Sequence, residues 1–283
     1  MPLSFRHSTC NEAFEKWHFA DACKAIRETG YTGIEIAPFT LAEKPSDISA
    51  EQRREFRDVI AGEGLTFVGL HWLMVSPKGL HVTGPDATLR RKSWDHIRDL
   101  IDLCADLGPD GVLVFGSPQQ RRAIEGMSRE EATCHFTDGV ASVAPHAARR
   151  GVTVLVEALP IGQSDVVQTL EEAAGIVRRL ASPAIRTMFD VHNAIDETVP
   201  HAELVDRYFD LIRHVHVNEL NGAHCGAPDT PAPYDFKPVF EVLARRSYTG
   251  WISLEAFDFS FGAERLVYDS LRHLESEIAK LTL

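Results

Sequence analysis

Short apolar runs alternate with longer amphipathic stretches along the whole chain. The clearest runs lie in its second half, and each closes on one side chain able to bind a metal. They read VTVLVE at Val152–Glu157, IRTMFD at Ile185–Asp190, IRHVH at Ile212–His216 and WISLE at Trp251–Glu255. Runs rich in β-branched and aromatic residues, without strict polar alternation, predict strands buried on both faces, as in a parallel sheet. Their last residues are 33, 26 and 39 positions apart, room each time for a helix and two loops. The same pattern predicts earlier strands at Leu3–His7, Gly33–Ala37, Leu65–His71 and Gly111–Phe115.

Helical stretches fill the gaps. Phe19–Thr29 is followed by Gly30 in a C-cap position. Ser49 can cap a helix to Ala61, with Glu51 and Glu55 near its positive end. Asp86 can cap a helix to Leu107, whose Ile97, Leu100, Ile101 and Cys104 recur at helical spacing. Ser128 and Glu131 form a capping-box pattern for a helix to about Arg150, with Pro145 a site for a kink. Further helices are predicted at about Thr169–Leu180, His201–Phe209, Phe236–Arg245 and Ala263–Leu281. Eight strands alternating with eight helices predict a single (β/α)8 barrel, one domain over residues 1–283. An open doubly wound sheet is the rival, but no GxGxxG follows the first strand.

Composition changes this picture little. The net charge of −12 disfavours nucleic acid as a partner, since phosphate binding needs a basic face. No segment approaches the roughly 20 apolar residues needed to span a bilayer, so no membrane partner is expected. Five cysteines, an odd number with no CxxC spacing, suit reduced thiols, and MPLSFRHSTC lacks the apolar core of a signal peptide. A cytoplasmic location is the expectation. Homo-oligomerisation is left open.

In a barrel of this kind catalytic groups sit at the C-terminal strand ends. Glu157, Asp190, His216 and Glu255 would then meet at one mouth. Three carboxylates and an imidazole suit one divalent ion, Mn2+ first, with Mg2+ or Co2+ as alternatives. The same rule brings in His71, Ser117, His192, Asn193 and Asn218. Each residue also has a plainer reading. A strand-end acid often caps the next helix. His214 fits a supporting or core histidine better than a ligand, and Glu35 an interior acid held by hydrogen bonds. His71 fits a buried histidine as well as a substrate contact. Trp17, Trp72 and Phe257 fit plain core better than pocket wall, and Lys78, Arg121 and Arg122, able to hold a substrate carboxylate or phosphate, fit solvated loop cations better.

GYTGIEIAP at Gly30–Pro38, VEAL at Val156–Leu159, FDVHNA at Phe189–Ala194, HVHVNELNG at His214–Gly222 and YTGWISLEAF at Tyr248–Phe257 carry a family resemblance. Together they resemble the xylose isomerase-like sugar isomerase/epimerase superfamily, which includes ketose 3-epimerases, hydroxypyruvate isomerase, inosose isomerases and dehydratases, and endonuclease IV. The resemblance implies that Glu157, Asp190, His216 and Glu255 bind the metal. By likeness to ketose 3-epimerases it also implies that Glu157 and Glu255 act as the acid/base pair, exchanging a proton beside a carbonyl through a metal-stabilised enediolate. The implied substrate is a small keto-sugar or related carbonyl polyol. His71, His192, Asn193, Gln163 and Asn218 are candidate substrate-binding residues. The chain departs from the epimerases at Gln163, where they carry Glu, and at Gly222, where they carry Arg. The histidine that follows their metal Asp by three is shifted too, with His192 two on and Asn193 three on. A lyase, dehydratase or decarboxylase, would use the same enediolate. An endonuclease IV-like repair enzyme, for which His7, His71 and His192 are nominees, is opposed by the acidic charge. A non-catalytic sugar-binding subunit on the same barrel is the third class.

Overall fold

The computed structural model describes residues 5–124, 126–228 and 230–281. Eight parallel strands pair in chain order into a closed barrel. They are β1 Arg6–Cys10, β2 Gly33–Ile36, β3 Thr66–Leu70, β4 Val112–Phe115, β5 Thr153–Val156, β6 Ile185–Asp190, β7 Ile212–Val217 and β8 Trp251–Leu254. Eight α-helices lie between and after them: α1 Phe19–Thr29, α2 Ala50–Gly62, α3 Ala87–Leu107, α4 Arg129–Arg150, α5 Leu170–Leu180, α6 His201–Tyr208, α7 Lys237–Arg245 and α8 Ala263–Ala279. The expected fold is therefore the observed one.

Helix boundaries follow their caps. The Ser49 hydroxyl accepts from the Gln52 amide and the Gln52 side chain accepts from the Ser49 amide, a reciprocal box that starts α2. Asp86 accepts from Thr88 and Leu89, Ser128 from Glu131, and Thr169 from Glu172. Gly30, at φ 118°, closes α1 in a conformation that disfavours other residues.

One strand is out of place in the sequence reading. The first strand, expected at Leu3–His7, runs from Arg6 to Cys10; Leu3 and Ser4 of that expectation lie outside the described residues. Its partners explain the shift. Ser8, Thr9 and Cys10 pair with Gly33, Ile34 and Glu35, and Arg6 to Thr9 pair with Trp251 to Leu254. Polar residues occupy this strand because its inner face meets polar neighbours, so an apolar run was the wrong signal.

Strand side chains alternate between two faces. One set faces helices and joins the large outer core, as Leu113, Phe115, Val154 and Val156 do. The other set faces the barrel axis. On β4 to β6 it is apolar, and Val112, Val114, Leu155 and Met188 form a small separate cluster. Continuing the same parity, Leu155 leads to Glu157, Met188 to Asp190, His214 to His216, Ser253 to Glu255, and Ser8 to Cys10. An irregularity in β7 makes this registration possible. Thr187 pairs with Ile212 but Met188 with His214, so Arg213 is the extra residue and His216 lands opposite Asp190. Without it Val215 would stand there.

His7 lies on the outward parity of β1, and its Nδ1 is buried without a hydrogen-bond partner. Burial lowers its pKa to about 4. The unfolded chain, with an ordinary histidine, takes up this proton at higher pH, so the contribution is complete above about pH 6.5 and is lost as pH falls toward 4. His7→Gln is expected to lose about 2 kcal/mol less stability than the parent between pH 7 and pH 5. Urea unfolding at the two pH values measures this; parallel losses would contradict it.

Candidate active site

The four strand-end residues meet as their parity requires. Glu157, Asp190, His216 and Glu255 are all buried, and each offers a donor atom within 4.8 Å of the others. His216 Nδ1 lies 3.1 Å from Glu255 Oε2 and 3.4 Å from Asp190 Oδ2. Asn193 ties the other two together: its side-chain nitrogen donates to Glu157 Oε1 at 3.0 Å and its amide to Asp190 Oδ1 at 2.8 Å. Gly116 leaves the room that the Glu157 carboxylate fills, since a Cβ there would collide with Glu157 Oε2.

The quartet borders a cavity of about 590 Å³ whose lining includes Glu157 and Glu255. Trp72 and Phe257 form an aromatic wall, their ring centroids 6.0 Å apart. Gln163, His192 and Asn193 also line it, as does Lys78. His192 Nδ1 is 2.7 Å from the Leu220 carbonyl, which fixes the proton on that nitrogen. Its Nε2 is then free to accept from the Gln163 side chain at 3.2 Å.

The other two candidate substrate contacts do not line this cavity. Asn218 is fully buried; its side chain donates to the Glu255 carbonyl at 2.9 Å and accepts from the His192 amide at 2.8 Å, joining two loops. His71 is fully buried too, with Nε2 2.7 Å from Glu12 Oε2. Trp17 is outside the lining. The endonuclease nominees His7, His71 and His192 are not gathered into one cluster among the described residues.

Sequence reasoning missed three participants. Glu12 sits in a short 3-10 turn, Glu12–Phe14, just past β1. Cys10 ends β1 and was misplaced with that strand. Arg121 looked like a solvated loop cation but is fully buried; its Nη1 donates to the carbonyls of Phe115 and Glu157, both at 2.8 Å. Period-two counting from the observed β1 finds Cys10; no local signal announces Glu12 or Arg121. Glu35, by contrast, is the interior acid expected, bound to His214 Nε2 at 2.8 Å and His216 Nε2 at 3.1 Å.

Electrostatics show what this crowding does. Burial, then the neighbouring Asp190 and Glu255 charges, raise Glu157 to about 8. Burial also raises Glu255, although His216 opposes it. Burial pushes Glu35 up, but His216 and His214 outweigh it and hold Glu35 well below the usual carboxylate range. Burial likewise opposes the charged form of His71, yet Glu12 and Glu35 raise it to about 9. A protein-only quartet thus retains a proton on Glu157 at neutral pH, the expected response of packed buried carboxylates. Asp190 Oδ2 is buried and makes no hydrogen bond. The donor set, the orphaned oxygen and the raised acids all fit a divalent cation.

Comparison with known proteins agrees with this fold. The family model described as xylose isomerase-like TIM barrel matches residues 23–277, and the chain belongs to that family. The solved apo structure of 3-keto-D-glucoside 4-epimerase from E. coli superposes with a TM-score of 0.80 at 20% identity, covering 96% of this chain and all of that one. L-ribulose 3-epimerase superposes equally well, at 17% identity over 97% and 95% of the two chains. Among curated proteins, an inosose dehydratase of Clostridium botulinum strain Eklund 17B is 27% identical over 108 residues, 32% of this chain and 36% of that protein. Another, from Yersinia enterocolitica, is 25% identical over 200 residues, 56% and 66%. The matches to the first of these relatives thus span only about a third of their length.

The raised Glu157 makes a signed prediction for the metal-free chain. The unfolded carboxyl ionises near its ordinary value while the folded one holds its proton to about 8. Stability is therefore lost as pH rises between these values. Glu157→Gln keeps the Asn193 contact without the charge, and is expected to exceed the parent in stability by more at pH 8 than at pH 5. Urea unfolding in chelator at both pH values decides it; an equal difference would contradict it.

Proposed function

We propose that this protein is a divalent-metal-dependent isomerase or epimerase of a small keto-sugar or related carbonyl polyol. The observation that carries the reading is the convergence of Glu157 and Glu255, two buried carboxylates, on one donor quartet at the border of a sugar-sized cavity. Glu157, Asp190, His216 and Glu255 would hold the metal, Mn2+ first, with Mg2+ and Co2+ suited to the same donors. When bound, such an ion supplies positive charge where a carbonyl and its neighbouring hydroxyl gain electron density as an adjacent C–H proton leaves.

The chain's own groups do the rest. Glu157 or Glu255 takes the proton from carbon, and the other carboxyl returns one. Asn193 orients Glu157, and Asn218 fixes the backbone of Glu255. Gln163 and His192, a linked pair, offer hydrogen bonds to hydroxyls, while Trp72 and Phe257 shield the reacting carbon from water. The substrate is carbohydrate, and the chain works in the cytoplasm without nucleic acid or a membrane; a homo-oligomer is compatible with this reading.

A lyase is the second reading, favoured by the inosose dehydratase names of the curated relatives. Both begin with the same proton abstraction and differ in what leaves. Incubation of the metal-loaded protein with ketoses, inososes and keto-acid sugars, followed by product mass, separates them. Unchanged mass is the expected outcome; loss of water or carbon dioxide would make the protein a lyase. Glu157→Gln is expected to cut turnover by ~10²–10⁴-fold. Full activity in that variant would remove Glu157 from the acid/base role.

A further inference from the structure

The cavity beside the quartet has two unlike sides. Gln163, His192 and Asn193, on the loops after β5 and β6, make one side polar. Trp72, Met74 and Val75, on the loop after β3, make the other apolar, and Phe257, after β8, stands against Trp72. Proton exchange on a keto-sugar uses the polar side. Shielding the reacting carbon accounts for an aromatic pair but not for a further apolar flank, because a polyol presents hydroxyls in most directions.

We propose that the substrate is a glycoside: its keto-sugar faces the quartet, and a second ring, joined through the glycosidic oxygen, lies against Trp72 and Phe257. This rests on the keto-sugar reading and gives it a substrate class. The cavity volume, about 590 Å³, falls among those that hold drug-sized ligands, and a lone monosaccharide is smaller than these. The shared chemistry required of the second ring is an apolar face, which an aryl group or another sugar residue supplies.

Trp72 supports this independently of volume. Its backbone sits at φ 51°, a region in which so bulky a residue is an outlier. Such strain persists where the surroundings enforce it, often beside a ligand. Here it leaves a half-buried indole on the cavity wall rather than in the core. Phe257 is likewise 37% exposed, although its position is fixed. Its amide donates to the Gly222 carbonyl at 2.9 Å, and Gly222, at φ 81°, gives the ring room, since a Cβ there would lie 2.8 Å from it. The Trp72 and Phe257 rings stand nearly perpendicular, at 86°, with His192 on the far side of Phe257, 5.0 Å between ring centroids. Two fixed aromatic rings meeting at a right angle make a corner for a flat guest, which can stack on one ring and meet the edge of the other. Affinity gained there comes from a part of the substrate remote from the reacting carbon, where binding energy can hold the sugar in place.

Binding and turnover are measured separately. Methyl glucoside, phenyl glucoside and methyl cellobioside have no free carbonyl, so calorimetry on the metal-loaded protein reports their binding alone. Phenyl glucoside or methyl cellobioside is expected to bind about tenfold or more tighter than methyl glucoside, and the tighter of the two identifies the ring as aryl or sugar. Trp72→Ala is expected to remove most of that ratio and Trp72→Phe to keep most of it. Equal affinities in the parent, no binding of either two-ring probe, or a ratio unchanged in Trp72→Ala would overturn the ring site. Turnover assays on free keto-sugars tell this apart from the reaction itself. Turnover without a two-ring preference leaves the isomerase reading standing and overturns this one; a two-ring preference without turnover of any keto-sugar does the reverse.

Discussion

Burying several carboxylates together is the constraint on which this barrel mouth depends. Removing one carboxylate from water is costly, and a second nearby raises the cost, so the pair takes up a proton or a cation. Glu157, Asp190 and Glu255 face this directly, and the raised Glu157 is its consequence in the absence of a cation. The surrounding structure distributes the remaining charge. Glu35 leans on His214 and His216, and Glu12 on His71. Arg121 lies behind Glu157, its guanidinium joined to two strand-end carbonyls.

This arrangement divides the barrel interior. On β4 to β6 the axis is filled with Val112, Val114, Leu155 and Met188. On β7, β8, β1 and β2 it carries His214, Ser253, Ser8 and Glu35. The apolar half packs as an ordinary core. In the polar half Glu35 answers His214 and His216, and Cys10 lies 3.9 Å from the Ser253 hydroxyl, while the Ser8 hydroxyl is buried without a partner. Glu157 and Glu255 border both this buried polar region and the cavity.

Most of this was legible in the sequence because strands count by two. Once the runs ending at Glu157, Asp190, His216 and Glu255 are parallel strands of one barrel, their last residues come to the same mouth, and register decides whether the side chains share a face. The capping residues Ser49, Asp86, Ser128 and Thr169 likewise marked helix starts through local chemistry. What was not legible depends on contacts distant in sequence. β1 is polar because β2 and β8 are its neighbours, so hydrophobic run-finding placed it too early and left Cys10 unnoticed. The extra residue Arg213 in β7 is visible only against β6. His71 and Asn218 looked like substrate contacts from their strand-end positions, but the depth at which they are buried is set by Glu12 and Glu255.

The role proposed for the quartet is to hold a cation. Elemental analysis of the protein purified without added metal, set beside Asp190→Asn, tests it most directly. The account predicts a divalent metal bound in the parent and the quartet's ion absent from the variant, with both chains folded. A parent free of metal even after reconstitution, or a variant that keeps its full complement, would contradict it. The four strand-end residues would then be structural.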